Sequence, residues 1–118
     1  NNNYFINEKN DANLFIEVIK SKKKRAIIVK DSYRLGYIWE KNINKYCKKI
    51  ISIEDFLEKK HYVDFYINHS PFFLENNKKY LEKLKNNNKK NCIFLLGPSY
   101  ALFSCLYACI SPFNNTFF

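Results

Sequence analysis

The sequence predicts a small α/β domain with three layers, in which helices flank a mainly parallel sheet of about four to five strands. Four short apolar runs, rich in β-branched residues, have the pattern of strands that are buried on both faces. Segments with helical periodicity lie between most of these runs, as is typical of parallel sheets with crossover helices. With 118 residues and a hydrophobic content of 47%, the chain is long enough for one domain with one core.

The first half of the chain predicts a helix, a strand and a second helix, after a flexible lead-in over residues 1–10. The folded domain is therefore expected over residues 11–118. Asp11 is placed to cap a helix with apolar residues at helical spacing, and the basic run Lys22–Arg25 suits the carbonyls at its end. The run Ala26–Lys30 predicts the first strand. After a turn, the spacing predicts a helix over Tyr37–Tyr46.

The second half of the chain predicts three further strands, at Ile50–Ile53, Tyr62–Asn68 and Cys92–Leu96. A charged connection joins the first two of them. A helix follows the predicted strand Tyr62–Asn68, with Ser70 as its N-cap and Pro71 at its first position. At that position a backbone N–H would have no partner within the helix, so proline loses no hydrogen bond there. A buried helix is expected over Tyr100–Ile110.

The charge-free stretch from Cys92 to Ile110 also approaches the length of a membrane span, and the lysines before it would suit a cytosolic flank. Gly97 and Pro98 interrupt it after only a strand's length of apolar residues. A buried strand, a turn and a buried helix therefore explain this stretch better than a span does.

The net charge of +9 comes from 20 Lys and Arg against 11 Asp and Glu. Such a surface favours acidic partners, whether nucleic acid, anionic lipid or an acidic protein face. Lys and Asn also fill every stretch that is expected at the surface, a pattern that AT-rich codon usage produces without a functional need for positive charge. We expect no nucleic-acid partner, and peripheral contact with an anionic membrane stays open.

The cysteines form no CxxC pair, and their apolar neighbours predict reduced thiols in the core. They are Cys47, Cys92, Cys105 and Cys109. His61 and His69 are distant from them in sequence, so we expect no metal site.

No catalytic or cofactor motif is complete. The turn after the first strand holds one glycine, Gly36, so the dinucleotide-binding and phosphate-binding loop motifs are absent. A receiver-like phosphoacceptor site needs an Asp where Asn68 ends its strand. His69 and Ser70 are adjacent, so their side chains diverge, and no GxSxG motif surrounds them. The sequence therefore predicts no enzyme, no catalytic residue and no cofactor.

Four segments together resemble the first domain of the Sec/Munc (SM) proteins, which bind syntaxins and template SNARE assembly. They read AIIVKDS, IISIEDFLEKK, VDFYINHSPFFLENNKKYLEKL and CIFLLGPSYALF. The turn with Asp31, Tyr33 and Gly36 is similar to that of one branch, the vacuolar protein-sorting SM subunit of the HOPS and CORVET tethers. The resemblance implies a Rossmann-like α/β domain that is the N-terminal fragment of a larger protein.

The resemblance also implies a non-catalytic protein-interaction domain, which would act in vesicle-mediated transport and membrane fusion. Its location would be cytoplasmic, peripheral on endosomal and vacuolar membranes. Its partners would be syntaxin or other SNARE helices and possible tethering-complex subunits, contacted through Arg34, Lys41 and Glu54 as charged hydrogen-bonding groups. The alternative is a degenerate receiver-like or other ligand-binding α/β domain, which predicts a pocket at the strand ends.

Overall fold

Four strands form one all-parallel sheet, and their order across the sheet follows their order along the chain. The computed structural model describes residues 7–55 and 59–101, without the side chains of residues 74–77. The strands are β1 (Ile27–Lys30), β2 (Lys49–Ile53), β3 (Phe65–Asn68) and β4 (Ile93–Leu96). The predicted α/β class with a mainly parallel sheet is confirmed, and each predicted strand lies within a few residues of an observed one.

Within the described residues, three α-helices accompany the sheet: α1 (Glu8–Lys20), α2 (Tyr37–Ile43) and α3 (Phe73–Asn86). A 3-10 turn, Asn44–Tyr46, extends α2 to the end of the predicted helix. Helix α1 begins earlier than expected, because the Asn7 side chain caps it by accepting a hydrogen bond from the Asn10 N–H at 3.2 Å. Residues 8–10 are thus helical rather than part of a lead-in. Asp11 instead accepts a hydrogen bond from the Trp39 indole at 2.7 Å.

Helix α3 also begins at a different residue from the prediction. It starts at Phe73, two residues after Pro71, and its N-cap position is occupied by Phe72, which makes no side-chain capping bond. Ser70 still accepts hydrogen bonds there, through its hydroxyl from Phe72 N–H and through its carbonyl from Phe73 N–H. Ser70 and Pro71 therefore lie in the turn that leads from β3 into the helix.

The connection between β2 and β3 has no helix in its described residues, although parallel strands are usually joined by one. We call residues 59–64 the strap. It is fixed by backbone hydrogen bonds from His61 N–H to the Asn87 carbonyl and from Val63 N–H to the Asn88 side chain, at 2.9 and 3.0 Å. The strap therefore lies between the sheet's central strands and the end of α3.

The two faces of the sheet differ in what covers them. Side chains of one face pack with all three helices in a single core cluster, in which Ile50 and Tyr66 meet residues such as Ile16, Trp39 and Leu84. Cys47 belongs to this cluster and Cys92 packs against it, and both are free cysteines, whereas the predicted core thiols Cys105 and Cys109 lie outside the described residues. Burial raises the pKa of the Cys92 thiol to about 12. The opposite face is mostly apolar, with Lys49 at its edge, and none of its described strand residues belongs to the cluster.

The stretch predicted to be a strand and a turn has that structure. Ile93–Leu96 is β4, and Gly97 adopts a left-handed conformation with φ of 102°, which suits glycine and ends the strand. A continuous helical span from Cys92 to Ile110 is therefore excluded. Among the described residues, none of the helices has the length and apolar character needed to cross a membrane. Apart from its first two residues, the predicted helix at Tyr100–Ile110 lies outside the described residues.

Candidate functional site

Ionisable side chains gather inside the domain near the carboxyl ends of β1 and β2. Lys30 ends β1, Glu54 follows β2, Glu40 comes from α2 and His61 comes from the strap. Their exposed fractions are 4%, 1%, 0% and 1% in that order. We call these four residues the buried cluster. Charged groups are seldom buried unless they are paired, so the pairing within the cluster decides what it does.

The Lys30 ammonium lies at the centre of the cluster. Its Nζ is 2.8 Å from Glu40 Oε1 and 3.0 Å from Glu54 Oε1, and it donates to the Leu35 carbonyl at 2.7 Å. An ammonium has three donors, and here each has an acceptor. Lys30 therefore joins β1, α2 and the exit of β2 through one side chain.

His61 completes the cluster from the strap side. Its Nδ1 is 2.8 Å from Glu40 Oε1, and its Nε2 is 3.4 Å from Glu54 Oε1. The Tyr62 N–H donates to Glu40 Oε2 at 2.6 Å, and the Ser52 hydroxyl donates to Glu54 Oε1 at 2.5 Å. Glu54 Oε2 and His61 Nε2 have no hydrogen-bond partner among the described residues. The strap is thus held to α2 by both a side chain and a backbone group.

Two carboxylates, one ammonium and one imidazole ring meet in the cluster. Burial raises the pKa of the Glu40 carboxyl, but the hydrogen bond and charge of His61 and the nearby Lys30 outweigh it, so the pKa falls below its usual value. Glu40 is therefore ionised at neutral pH, and the cluster behaves as a buried network of ion pairs.

The same donors could in principle hold a metal ion, since ligand atoms of Glu40, Glu54 and His61 lie within 4.8 Å of one another. Lys30 already places a positive charge within 3.0 Å of both carboxylates, which is the charge that a metal would supply. All four side chains are also shielded from solvent. The arrangement therefore fits a structural role better than a metal site or a substrate site.

A second group of charged residues lies on the surface, where α2 and the strap meet. The rings of Tyr37 and Tyr62 pack edge to face, with centroids 5.8 Å apart. Ammonium groups lie over these rings: Lys60 at 4.2 Å and Lys41 at 5.4 Å from the Tyr37 centroid, and Lys89 at 4.8 Å from the Tyr62 centroid. We call these five residues the basic-aromatic strip. It offers positive charge and flat apolar area side by side.

The strip continues into a cavity of about 410 Å³ at the amino ends of the strands. Lys49, Lys89 and Lys90 line it together with the Asp64 carboxylate. Asp64 accepts a hydrogen bond from Lys89 Nζ at 3.2 Å and from the Ile50 N–H at 2.9 Å. The cavity is thus mostly cationic, with one carboxylate that is already paired.

The structure separates the three predicted partner-binding residues. Arg34 and Lys41 are exposed, and Lys41 belongs to the basic-aromatic strip, where it donates to the Tyr37 hydroxyl at 3.1 Å. That bond lowers the pKa of Tyr37 and raises that of Lys41. Glu54 differs from the expectation, since it is buried and turned toward Lys30 rather than toward solvent. It is not placed for direct contact with a partner.

Sequence reasoning missed the pairing of Glu40 with His61 and the pairing of Tyr37 with Tyr62. Both pairs join α2 to the strap, and their members are more than 20 residues apart in sequence. No periodic pattern signals contacts of this kind, although a histidine within a charged connection was a weak hint. His69, which the sequence analysis considered as a catalytic residue, is exposed and does not contribute to the buried cluster.

A third feature is the basic run that follows α1. Lys20, Lys22–Arg25 and Lys45 line a shallow groove of about 240 Å³ around Tyr46. Lys20 and Lys45 lie over the Tyr46 ring at 5.0 and 5.2 Å. The helix ends at Lys20, so the run itself lies beyond the last turn. None of the described residues that line this groove is a buried polar group held in position to bind a ligand.

No protein-family model, curated protein or solved structure matches the chain.

Proposed function

We propose that the chain is a non-catalytic protein-interaction domain of the Sec/Munc type. It contributes to the binding of syntaxin or other SNARE helices, and of tethering-complex subunits, during membrane fusion at endosomes and vacuoles. The observation that carries the proposal is the contrast between a closed polar interior and an open basic-aromatic strip. The polar groups at the strand ends are used internally, whereas the strip on α2 and the strap is available to a partner.

The closed interior supports the absence of catalysis. A general base or nucleophile has to reach a substrate, but Lys30, Glu40, Glu54 and His61 are almost fully buried. Their donors and acceptors are directed mainly at one another. A small molecule could reach them only if the strap opened.

The strip supports a protein partner with acidic groups. Tyrosine and cationic side chains are common in protein interfaces, because the ring buries apolar area and the cation donates directional hydrogen bonds. The resemblance implies that the helix after the first strand and the exit of the second strand face the partner. Tyr37 and Lys41 come from that helix, and Lys60 and Tyr62 come from the connection after β2. Both elements therefore contribute to the strip.

Binding to purified cytosolic regions of a syntaxin panel tests the proposal. We expect at least one syntaxin to bind the full chain, and we expect Lys41→Glu and Arg34→Glu each to weaken that binding roughly 3- to 10-fold, with a lower association rate. Lys78→Glu on α3 makes the same change of charge at another exposed site and serves as the matched control. If no syntaxin binds, or if both variants bind as well as wild type, the proposal is wrong.

The alternative of a ligand-binding domain is favoured by one observation, the cavity lined by Lys49, Lys89 and Lys90. It lies at the amino ends of the strands, whereas ligands of open parallel sheets bind beyond the carboxyl ends. Thermal unfolding with nucleotides and phosphorylated metabolites separates the two hypotheses. We expect no stabilisation. A stabilisation that Lys89→Gln removes would favour the ligand-binding alternative.

A further inference from the structure

Nine of the chain's 20 lysines and arginines lie at one edge of the sheet, where the parallel strands begin. They precede β1, β2 or β4 by at most five residues, or begin β2. We call these nine residues the basic edge: Lys22–Arg25, Lys45, Lys48, Lys49, Lys89 and Lys90. Of the chain's 11 Asp and Glu, only Asp64 lies within five residues before one of the four strands.

The basic edge is one continuous surface, because the 3-10 turn Asn44–Tyr46 joins its parts. The Arg25 guanidinium donates to the Lys45 carbonyl in this turn. The Lys89 ammonium donates to the Asn44 side chain in the same turn. Residues of the turn line both the shallow basic groove and the cavity at the amino ends of the strands. The groove and the cavity are therefore neighbouring parts of the same surface.

The charge of the basic edge is not neutralised within the described part of the domain. Eight of its nine side chains are exposed, and Lys89 is partly buried. In the part of the chain that the structure describes, its ion pairs involve only Lys49 and Lys89, and both use Asp64. Helix α1 ends at Lys20, so Lys22–Arg25 lie beyond the last turn, whose carbonyls carry partial negative charge. The edge therefore offers its positive charge to a partner.

The opposite edge, where the strands end, has a different balance of charge. Within the five residues after each strand, the sequence has one cation, Arg34, and four carboxylates. Lys30, at the last position of β1, is buried and paired with carboxylates. Codon usage alone would place lysines without regard to the ends of the strands. The domain is instead electrostatically polarised along its strands.

The chemistry of the basic edge fits an anionic lipid surface better than nucleic acid. Eight of its nine cations are lysines, which are flexible point charges, whereas the fork of arginine suits phosphates and base edges. Nucleic acids also stack their bases on open aromatic rings. Here Lys20 and Lys45 lie over the Tyr46 ring, and Lys89 lies over the Tyr62 ring. Charge without stacking platforms suits a surface of mobile headgroups.

We propose that the basic edge docks the domain on the surface of a membrane that contains anionic phospholipids. Each lysine or arginine that comes close to such a surface strengthens binding by about 5-fold, so part of the edge is enough for stable contact. This inference is independent of the proposed function, because Tyr37 and Lys41 lie outside the basic edge and the test below contains no SNARE.

Sedimentation of the full chain with sucrose-loaded vesicles tests the inference. Vesicles of phosphatidylcholine alone are compared with vesicles in which a third of the lipid is phosphatidylserine, at about 0.1 M salt. The double variant Lys24→Glu with Lys48→Glu reverses two exposed charges of the basic edge. Lys9→Glu with Lys78→Glu makes the same change of net charge at exposed positions in the first halves of α1 and α3, and serves as the matched control.

We expect the wild type to bind the phosphatidylserine vesicles and not those of phosphatidylcholine, and the edge variant to bind at least about 10-fold more weakly. The control should bind within about 2-fold of wild type, because the two edges are about 15 Å apart and the Debye length is about 10 Å. Circular dichroism confirms that both variants are folded. If the edge variant does not fold, Lys24→Gln with Lys48→Gln should still weaken binding at least about 3-fold.

Four results would overturn the inference. Equal weakening by both double variants would show that net charge, rather than the basic edge, governs binding. Absence of binding to either kind of vesicle would exclude membrane docking. Binding to a DNA duplex or an RNA strand without binding to anionic vesicles would favour a nucleic-acid surface. Displacement from the vesicles by glycerophosphoserine, at matched ionic strength, would favour a small-anion site in the cavity. Syntaxin binding is measured without lipid, so the two proposals can fail separately.

Discussion

The buried cluster and the basic-aromatic strip use similar residues in opposite ways, although both join α2 to the strap. In the cluster, the Lys30 ammonium and the Glu40 carboxylate are almost fully buried, and each finds its partners within the domain. In the strip, Lys41 and Lys60 are exposed and lie over the Tyr37 ring. Pairing and solvent access, rather than residue type, decide whether a charge stabilises a fold or remains available to a partner.

Removal of the Lys30 ammonium should have the largest effect on the free energy of unfolding. We expect Lys30→Met to lower the free energy of unfolding by about 3–5 kcal/mol, because it leaves two buried carboxylates without their ammonium. Urea unfolding followed by circular dichroism measures the change. Lys49→Met is the matched control, because its ammonium is half exposed and lies 3.9 Å from Asp64. A loss for Lys30→Met no greater than that of the control would show that the cluster does not stabilise the domain.

A change at Glu40 should have an intermediate effect that depends on pH. Glu40→Gln should cost about 2–3 kcal/mol at pH 7, since it weakens charged hydrogen bonds to Lys30 and His61. The folded pKa of Glu40 lies below its usual value of 4.5, so its ionised form stabilises the domain above that pH. This contribution is lost as the pH falls below about 4.5, through the folded pKa.

Urea unfolding between pH 3 and 7 tests the dependence on Glu40. We expect the stability of the wild type to fall more steeply below pH 4.5 than that of Glu40→Gln. Parallel curves for the two proteins would contradict the assignment of this pH dependence to Glu40.

A change in the strip should have the smallest effect on stability. Lys60→Gln removes an exposed ammonium that lies 4.2 Å from the Tyr37 centroid, and such contacts contribute about 0.5–1 kcal/mol. We expect the free energy of unfolding to change by no more than about 1 kcal/mol, while binding to an acidic partner weakens. A larger loss of stability would show that the strip, like the buried cluster, stabilises the fold, and would contradict the proposed difference between them.

Local patterns in the sequence were enough to predict the fold class. The run Ala26–Lys30 and the apolar stretch before Gly97 predicted β1 and β4 to within one residue at each end, because β-branched runs and glycine act locally. The start of α1 was wrong, since the sequence favours Asp11 and Asn7 almost equally as caps. Asp11 is used instead by Trp39, which lies 28 residues away.

The candidate site was harder to predict, because its contacts also join residues that are far apart in sequence. Arg34 and Lys41 are exposed, as a surface contact requires, but Glu54 pairs with Lys30 across 24 residues of sequence. No local signal distinguishes an acidic residue at a strand exit that faces solvent from one that turns inward. The burial of Glu54 follows from the parallel pairing of β1 with β2, which sets the end of one strand beside the end of the next.

The strap has a consequence for how the domain is completed during synthesis. Its backbone bonds reach Asn87 and Asn88, so residues in the middle of the chain depend on residues made more than 20 positions later. A nascent chain that has released only β1, α2 and β2 from the ribosome can pair those strands but cannot fix the strap. Residues emerge from the ribosome at roughly 5–20 per second. The strap between β2 and β3 would therefore remain without its bonds to Asn87 and Asn88 for on the order of a second or more. During that interval a chaperone, or a premature partner on α2, has access to groups that the finished domain encloses.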